Sequence, residues 1–189
     1  RCLDEHPEIC VSKPKEVKFF KPDGDPIAIE TYPKYFHHCT HGNRKGDVTP
    51  ATVISEELAQ LLHDNFPDIK LLITVRNPID RYLSAYFFCL ELGSYAHDSI
   101  EKKIDDELSK DGSYDLKMGK YYHNLQKWYK RFPSDQIKVV FYEDLTDNPI
   151  TTFQDIYSFL GVDNGFRGPE ITNNKKFKQL NKRSEKLES

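Results

Sequence analysis

Apolar residues in this chain fall into two kinds of pattern, short continuous runs and stripes at helical spacing, and the two alternate. Residues 55–66 read as a helix: Ser55 suits an N-cap, Glu56 and Glu57 occupy the first turn, and Leu58, Leu61 and Leu62 share a face. Residues 69–75, Ile-Lys-Leu-Leu-Ile-Thr-Val, form a short branched run that fits a buried parallel strand. Asn77 and Pro78 then predict a capped helix start, and Gly93 predicts its stop after Leu92. Further on, Asp98 with Glu101 resembles a capping box ahead of Ile100, Ile104 and Leu108. Tyr122, Leu125, Trp128, Tyr129 and Phe132 mark another amphipathic helix, and residues 136–142 a second buried strand. Asn148-Pro149 opens a last helix through Phe153, Ile156, Tyr157 and Leu160, which Gly161 caps. Residues 21–45, rich in Pro, Gly, His and aromatics, read as irregular, with one helical turn around Tyr32 to Phe36. Strands alternating with helices predict an α/β layered fold with a central, mostly parallel sheet flanked by helices.

Composition narrows the class. The 189 residues fit one domain, and 38% apolar with 13% aromatic content suits a folded core. A net charge of −3 offers no overall basic field for a nucleic-acid partner. No apolar run has the length of a membrane span, and residues 1–7 lack the apolar stretch of a signal peptide. Cys2, Cys10, Cys39 and Cys89 show neither zinc-type nor disulfide-scaffold spacing, so four reduced thiols are expected. With no Asn-x-Ser/Thr site, this favours a reducing cytoplasm; a Golgi lumen would need an upstream anchor.

The chemistry concentrates in residues 71–86. A buried strand ends at Arg76 and a helix starts at once. In open α/β sheets ligands bind beyond the carboxyl ends of strands. A helix N-terminus offers free N–H groups to an anion, and Arg76 adds a fork-shaped donor suited to phosphate. Asn77, Asp80 and Ser84 share one face, which sets the Ser84 hydroxyl on the side of the cap. Read on physics alone, the same residues also describe a helix that simply starts well, with Asp80 and Arg81 as a solvated pair.

The stretch Arg76-Asn77-Pro78-Ile79-Asp80-Arg81-Tyr82-Leu83-Ser84-Ala85-Tyr86 resembles the 3'-phosphate-binding motif of sulfotransferases. Other pieces follow in family order: Lys15-Glu16-Val17-Lys18-Phe19-Phe20, then Tyr32 with Tyr35-Phe36, Gly46-Asp47-Val48-Thr49-Pro50-Ala51, Gly119-x-Tyr121 and Tyr142-Glu143-Asp144-Leu145. This ordered set is similar to the heparan-sulfate and bacterial carbohydrate sulfotransferases over residues 2–165. The resemblance implies a P-loop-NTPase-like fold. It also implies 3'-phosphoadenosine 5'-phosphosulfate (PAPS) as donor and 3'-phosphoadenosine 5'-phosphate (PAP) as product, with Arg76 and Ser84 on the 3'-phosphate and no metal. The acceptor would be a hydroxyl or amine of a carbohydrate or small molecule.

In the carbohydrate branch the Glu of Lys-Glu-x-x-Phe-Phe is the catalytic base, which the resemblance places at Glu16. Lysines at 15 and 18 ahead of two phenylalanines suit a partly desolvated carboxylate; without the resemblance Glu16 reads as a surface glutamate. Lys15, Lys18, Asp47 and Thr49 are candidate substrate contacts, with solvated lysines and a Pro-terminated turn as the plain alternatives. His37, His38 and His41 lack helix-borne metal spacing and read as solvated.

The pattern departs from the family in three places. Family members carry a Gly-rich loop with a Lys that grips the 5'-phosphosulfate, and this sequence has none. Residues 2–9 look like the end of the helix that normally follows that loop. The expectation is a single, N-terminally truncated domain, inactive by itself. Lys18 and Lys21 stand where heparan-sulfate 3-O-sulfotransferases have His and Asp, and Val48 where they have Lys, so heparan sulfate is not assumed as acceptor. A non-catalytic nucleotide- or glycan-binding module derived from the same fold is the competing reading. A P-loop kinase is a third, but the Walker-type Lys-Ser/Thr it requires is absent.

Overall fold

The computed structural model describes residues 2–15, 17, 29–95, 99–109 and 113–173. Its strands form two parallel pairs. In the first, β1 (Ile9–Val11) lies beside β2 (Arg44–Gly46), with Ile9 opposite Arg44. In the second, β3 (Leu71–Val75) lies beside β4 (Ile137–Phe141), with Leu71 opposite Ile137 and Val75 opposite Phe141. Parallel neighbours need a crossover between them. For β3 and β4 that crossover holds α2 (Pro78–Glu91), α3 (Ile100–Ser109), α4 (Tyr114–Gly119) and α5 (Tyr121–Tyr129). Before β3 runs α1 (Glu56–Asn65); after β4 come α6 (Tyr142–Asp147), α7 (Pro149–Leu160) and α8 (Pro169–Asn173). The α/β class with parallel strands and flanking helices is therefore present.

Local chemistry sets the helix ends. Ser55 Oγ accepts from Leu58 N at 3.1 Å and starts α1. Asn77 Oδ1 accepts from Ile79 N at 2.9 Å and, more weakly, from Asp80 N at 3.4 Å, while Pro78 occupies the first turn of α2. Gly161 ends α7 at φ +73°, a left-handed conformation that a side chain would strain. No helix among the described residues is long and apolar enough to cross a membrane.

One core joins the two sheets: Ile9 of β1 and Val140 of β4 pack with Phe153, Ile156 and Tyr157 of α7 and Ile171 of α8. A second group sits under α1 and α5, where Ala59, Trp128, Phe132 and Ile137 are buried together. Trp128 Nε1 donates to Val53 O at 2.9 Å, tying α5 to the short 3₁₀ helix Pro50–Ile54.

Several expectations need correction. Within residues 2–9 the helical part is a single 3₁₀ turn at Leu3–Glu5, which is followed by β1. That strand and β2 were not anticipated, because Arg44-Lys45-Gly46 carries no apolar signal. The helical turn around Tyr32–Phe36 belongs to a longer 3₁₀ stretch, Ile29–Phe36. Leu108 and Tyr122, assigned to apolar stripes, are exposed, and the buried residues of their helices are Glu107 in α3 and Asn124 with Trp128 in α5. Arg81 and Asp80 are not a solvated pair: Arg81 donates to Asp115 O, and Asp80 faces Arg76. The four cysteines are not all thiols, since Cys10 and Cys39 form a disulfide and only Cys2 and Cys89 are free. The capping box proposed at Asp98 lies outside the described residues.

Candidate functional site

Arg76 stands where β3 ends and α2 begins. Its side chain is 15% exposed, with Nη2 4.0 Å from Asp80 Oδ2. The guanidinium lies over the Tyr142 ring at 4.8 Å, so the first residue of α6 supports it from below. Two further hydrogen bonds hold the backbone of this turn. Arg76 N–H donates to Tyr121 Oη at 3.4 Å, and Asn77 N–H donates to Glu143 Oε1 at 3.3 Å. The turn is thus gripped by residues from α5 and α6, each distant in sequence. Burial raises the Tyr142 phenol above its usual range, and the Arg76 charge pulls the other way. The phenol stays neutral at physiological pH.

The Ser84 side chain is exposed two turns along α2, one turn beyond Asp80 on the same face. Beside the first turn of α2, the junction of α4 and α5 lines an open cavity of 510 Å³ formed by Gly119, Lys120, Tyr121, Tyr122 and His123. The two walls are close: a Cβ at Gly119 would meet Pro78 Cβ at 3.5 Å. A turn with an arginine, a helix N-terminus behind it and an open cleft beside it can accept an anionic group. Asp80 is its internal competitor, since a phosphate on Arg76 must displace that long contact.

The second cluster surrounds Asp47. Ser12 Oγ and Val48 N both donate to Asp47 Oδ1 at 2.8 Å, and Thr49 Oγ1 donates to Oδ2 at 3.0 Å. Thr49 Oγ1 also reaches Val17 O at 3.3 Å. Both carboxylate oxygens are therefore engaged, and Ser12 is almost wholly buried. Burial, with the Asp47 charge adding to it, raises the Tyr32 phenol far above its usual range. Asp47 and Thr49 clasp the chain at Val17, one residue past Glu16, while the Lys15 side chain is exposed. Glu16 and Lys18 themselves lie outside the described residues.

The two clusters connect through helix packing. α4 packs against α2 on one side and against the 3₁₀ helix Pro50–Ile54 on the other, and that helix follows directly after Thr49. Tyr121, Tyr142 and Glu143 match a family pattern that gives them no role, and Ser12 is not among the candidates the sequence offers. Their partnerships span 35 to 66 positions, which no local pattern reveals.

Residues 12–188 match the family model described as "Sulfotransferase domain". Heparan sulfate glucosamine 3-O-sulfotransferase 5 is 28% identical in the mouse protein and 29% in the human one, each over 167 residues, covering 85% of this chain and 48% of the relative. The chain thus spans about half the length of these curated relatives. The membrane-associated sulfotransferase kil1 of Dictyostelium discoideum is 32% identical over 92 residues, which is 47% of this chain and 19% of that protein. Among solved structures, a sulfotransferase from Alicyclobacillus acidocaldarius shares the fold at a TM-score of 0.78 and 24% identity, covering 99% of this chain and 88% of that one.

Proposed function

This chain belongs to the sulfotransferase domain family, and on that premise we propose that it takes part in moving a sulfuryl group from PAPS to a hydroxyl or amine of a carbohydrate-type acceptor. The observation that carries the proposal is the Arg76 turn: a largely buried guanidinium, braced by Tyr142, at the junction of a parallel strand and a capped helix. In this reading Arg76 and the exposed Ser84 hydroxyl hold the 3'-phosphate of the donor, and the family motif they occupy supports that assignment.

Sulfuryl transfer asks for an in-line acceptor, stabilised charge on the moving group and a base for the acceptor proton. Glu16 is the proposed base. Its carboxylate takes the proton as the acceptor oxygen or nitrogen bonds to sulfur, while the bond from sulfur to the donor phosphate oxygen breaks and PAP departs. The Asp47–Thr49–Ser12 clasp on Val17 supports a positioning role for that segment, because it ties the neighbouring residue to β2 and the turn behind it. Lys15 and Lys18 flank the base as candidate contacts for anionic groups of donor or acceptor. Asp47 and Thr49 act on the acceptor side through the backbone they hold. The named relatives act on heparan sulfate glucosamine. Lys18, Lys21 and Val48 here argue for an acceptor of the same broad chemistry with different charge placement.

Glu16→Gln tests the assignment. In the active full-length enzyme, with labelled PAPS and hexosamine oligosaccharides as acceptors, turnover should fall by about 10²–10⁴-fold, the scale of a lost general base. PAP binding should stay within about twofold of wild type, since the substitution leaves the Arg76 turn intact. Turnover equal to wild type would remove Glu16 from the mechanism.

A further inference from the structure

The only three-residue grouping of metal-ligating side chains among the described residues lies at the disulfide and includes no residue of the Arg76 turn. Cys10, in β1, and Cys39, just after the Ile29–Phe36 3₁₀ helix, are bonded. His38 Nε2 stands 3.4 Å from Cys10 Sγ and 3.9 Å from Cys39 Sγ, and all three ligand atoms lie within 4.8 Å of one another. A tetrahedral zinc ion with Zn–S of about 2.3 Å and Zn–N of about 2.0 Å has S···N edges of roughly 3.5 Å and an S···S edge of roughly 3.8 Å. The imidazole already sits at edge distance from both sulfurs. Only the two sulfurs must separate, and breaking their bond allows that by rotation about Cα–Cβ.

We propose that Cys10, His38 and Cys39 form a redox-gated site for one thiophilic divalent cation of the zinc class. Opening the site takes a dithiol reductant. Its two thiols become a disulfide, the Cys10–Cys39 bond breaks, and each sulfur leaves as a thiol. Metal binding then releases both thiol protons to solvent and yields two thiolate ligands. His38 Nε2, 3.1 Å from Val11 O, gives up that contact; the proton moves to Nδ1 through solvent, and the Nε2 lone pair faces the ion. The fourth position is left to water, because His38 is exposed.

The consequence concerns the loop the disulfide closes. Cys10 and Cys39 are 29 positions apart, and the segment between them carries Lys15 and Glu16. An ion bound by the reduced pair would hold the same two points of the chain together. The strap around this segment would persist in either redox state, as a covalent bond or as a metal bridge. The site itself stands whether or not Glu16 is a base.

The test is spectroscopic and independent of any transfer activity. The full chain is reduced with a phosphine, kept free of oxygen and titrated with Co²⁺. A thiolate-to-cobalt charge-transfer band should saturate at one ion per chain and be absent from the oxidised protein. His38→Ala, at an exposed position, should weaken Co²⁺ binding by at least about tenfold while the far-UV circular dichroism stays unchanged. Three results would each overturn the site: no band in the reduced chain, an equal band in Cys39→Ser, which would assign it to Cys2 or Cys89, or unaltered affinity in His38→Ala.

Discussion

Replacing Asp47 with alanine probes whether its carboxylate is a clasp or a free substrate contact. The substitution strands Ser12 Oγ and Val48 N and leaves Thr49 Oγ1 with Val17 O as its one acceptor. A hydrogen bond to a charged group contributes about 1.5–3 kcal/mol, and a buried donor left without a partner costs about 1–3 kcal/mol. Ser12, at 2% exposure, cannot turn to water. The three terms share one carboxylate and do not add, so about 3 kcal/mol is the expected total loss. For a domain of this size each kcal/mol moves the melting temperature by roughly 2–4 °C, so Asp47→Ala should melt roughly 6–12 °C below wild type. Asp47→Asn keeps one acceptor oxygen for Ser12 and Val48 and should lose about half as much. A double-mutant cycle with Thr49→Val should show coupling of about 0.5–3 kcal/mol, as expected for direct partners. Differential scanning calorimetry reads the wild type and all four variants. A melting temperature within about 2 °C of wild type for Asp47→Ala would refute the clasp, because no charged partner of a buried serine is lost that cheaply.

Two other predictions follow from the same geometry. Tyr142→Phe should leave PAP affinity within about twofold of wild type, since its hydroxyl has no hydrogen-bond partner and only its ring supports Arg76, whereas Tyr142→Ala should weaken it about tenfold, on the scale of a partly desolvated cation–π contact; isothermal calorimetry separates the two. At high pH, burial raises Tyr157 from 10.0 to about 12. The unfolded chain therefore releases this proton first, so its contribution to stability is intact below pH 10.0 and falls as pH rises through about 12. Tyr157→Phe should flatten part of the alkaline limb of a urea-denaturation series while changing stability little at pH 7, because the hydroxyl lost is itself unpartnered.

What could be read along the chain was whatever one segment encodes by itself. Ser55, Asn77-Pro78 and Gly161 each terminate a helix with their own side chain or φ angle, and those three boundaries were legible to within a residue or two. β3 and β4 were legible because consecutive branched residues leave little alternative to a buried strand. β1 and β2 are three residues each, and β2 keeps Arg44 and Lys45 exposed, so neither periodicity nor composition marks it. α3 buries Glu107 beside Lys103, 2.7 Å away, and exposes Leu108, the reverse of what an apolar stripe implies. The Cys10–Cys39 bond joins points 29 positions apart, and its spacing carries no signature. The same divide runs through the site. Arg76 and Ser84 could be singled out as candidates because they lie on one strand–helix unit that resembles a family motif, while the ring under Arg76 and the serine on Asp47 come from elsewhere in the chain. A family pattern can name such residues, but only the packed chain assigns them a partner.

Donor recognition is proposed to rest on the Arg76 turn as a 3'-phosphate site, and calorimetric titration of the chain with PAP and, separately, with adenosine 5'-phosphate tests this most directly. The two ligands differ only in the 3'-phosphate, so the difference isolates that contact. A bidentate, charge-assisted pair is expected to contribute about 1.5–3 kcal/mol, which is roughly a 10- to 150-fold preference for PAP. Arg76→Ala should erase that preference. Equal affinity for the two nucleotides, or a preference that survives Arg76→Ala, would rule out the Arg76 turn as the 3'-phosphate site.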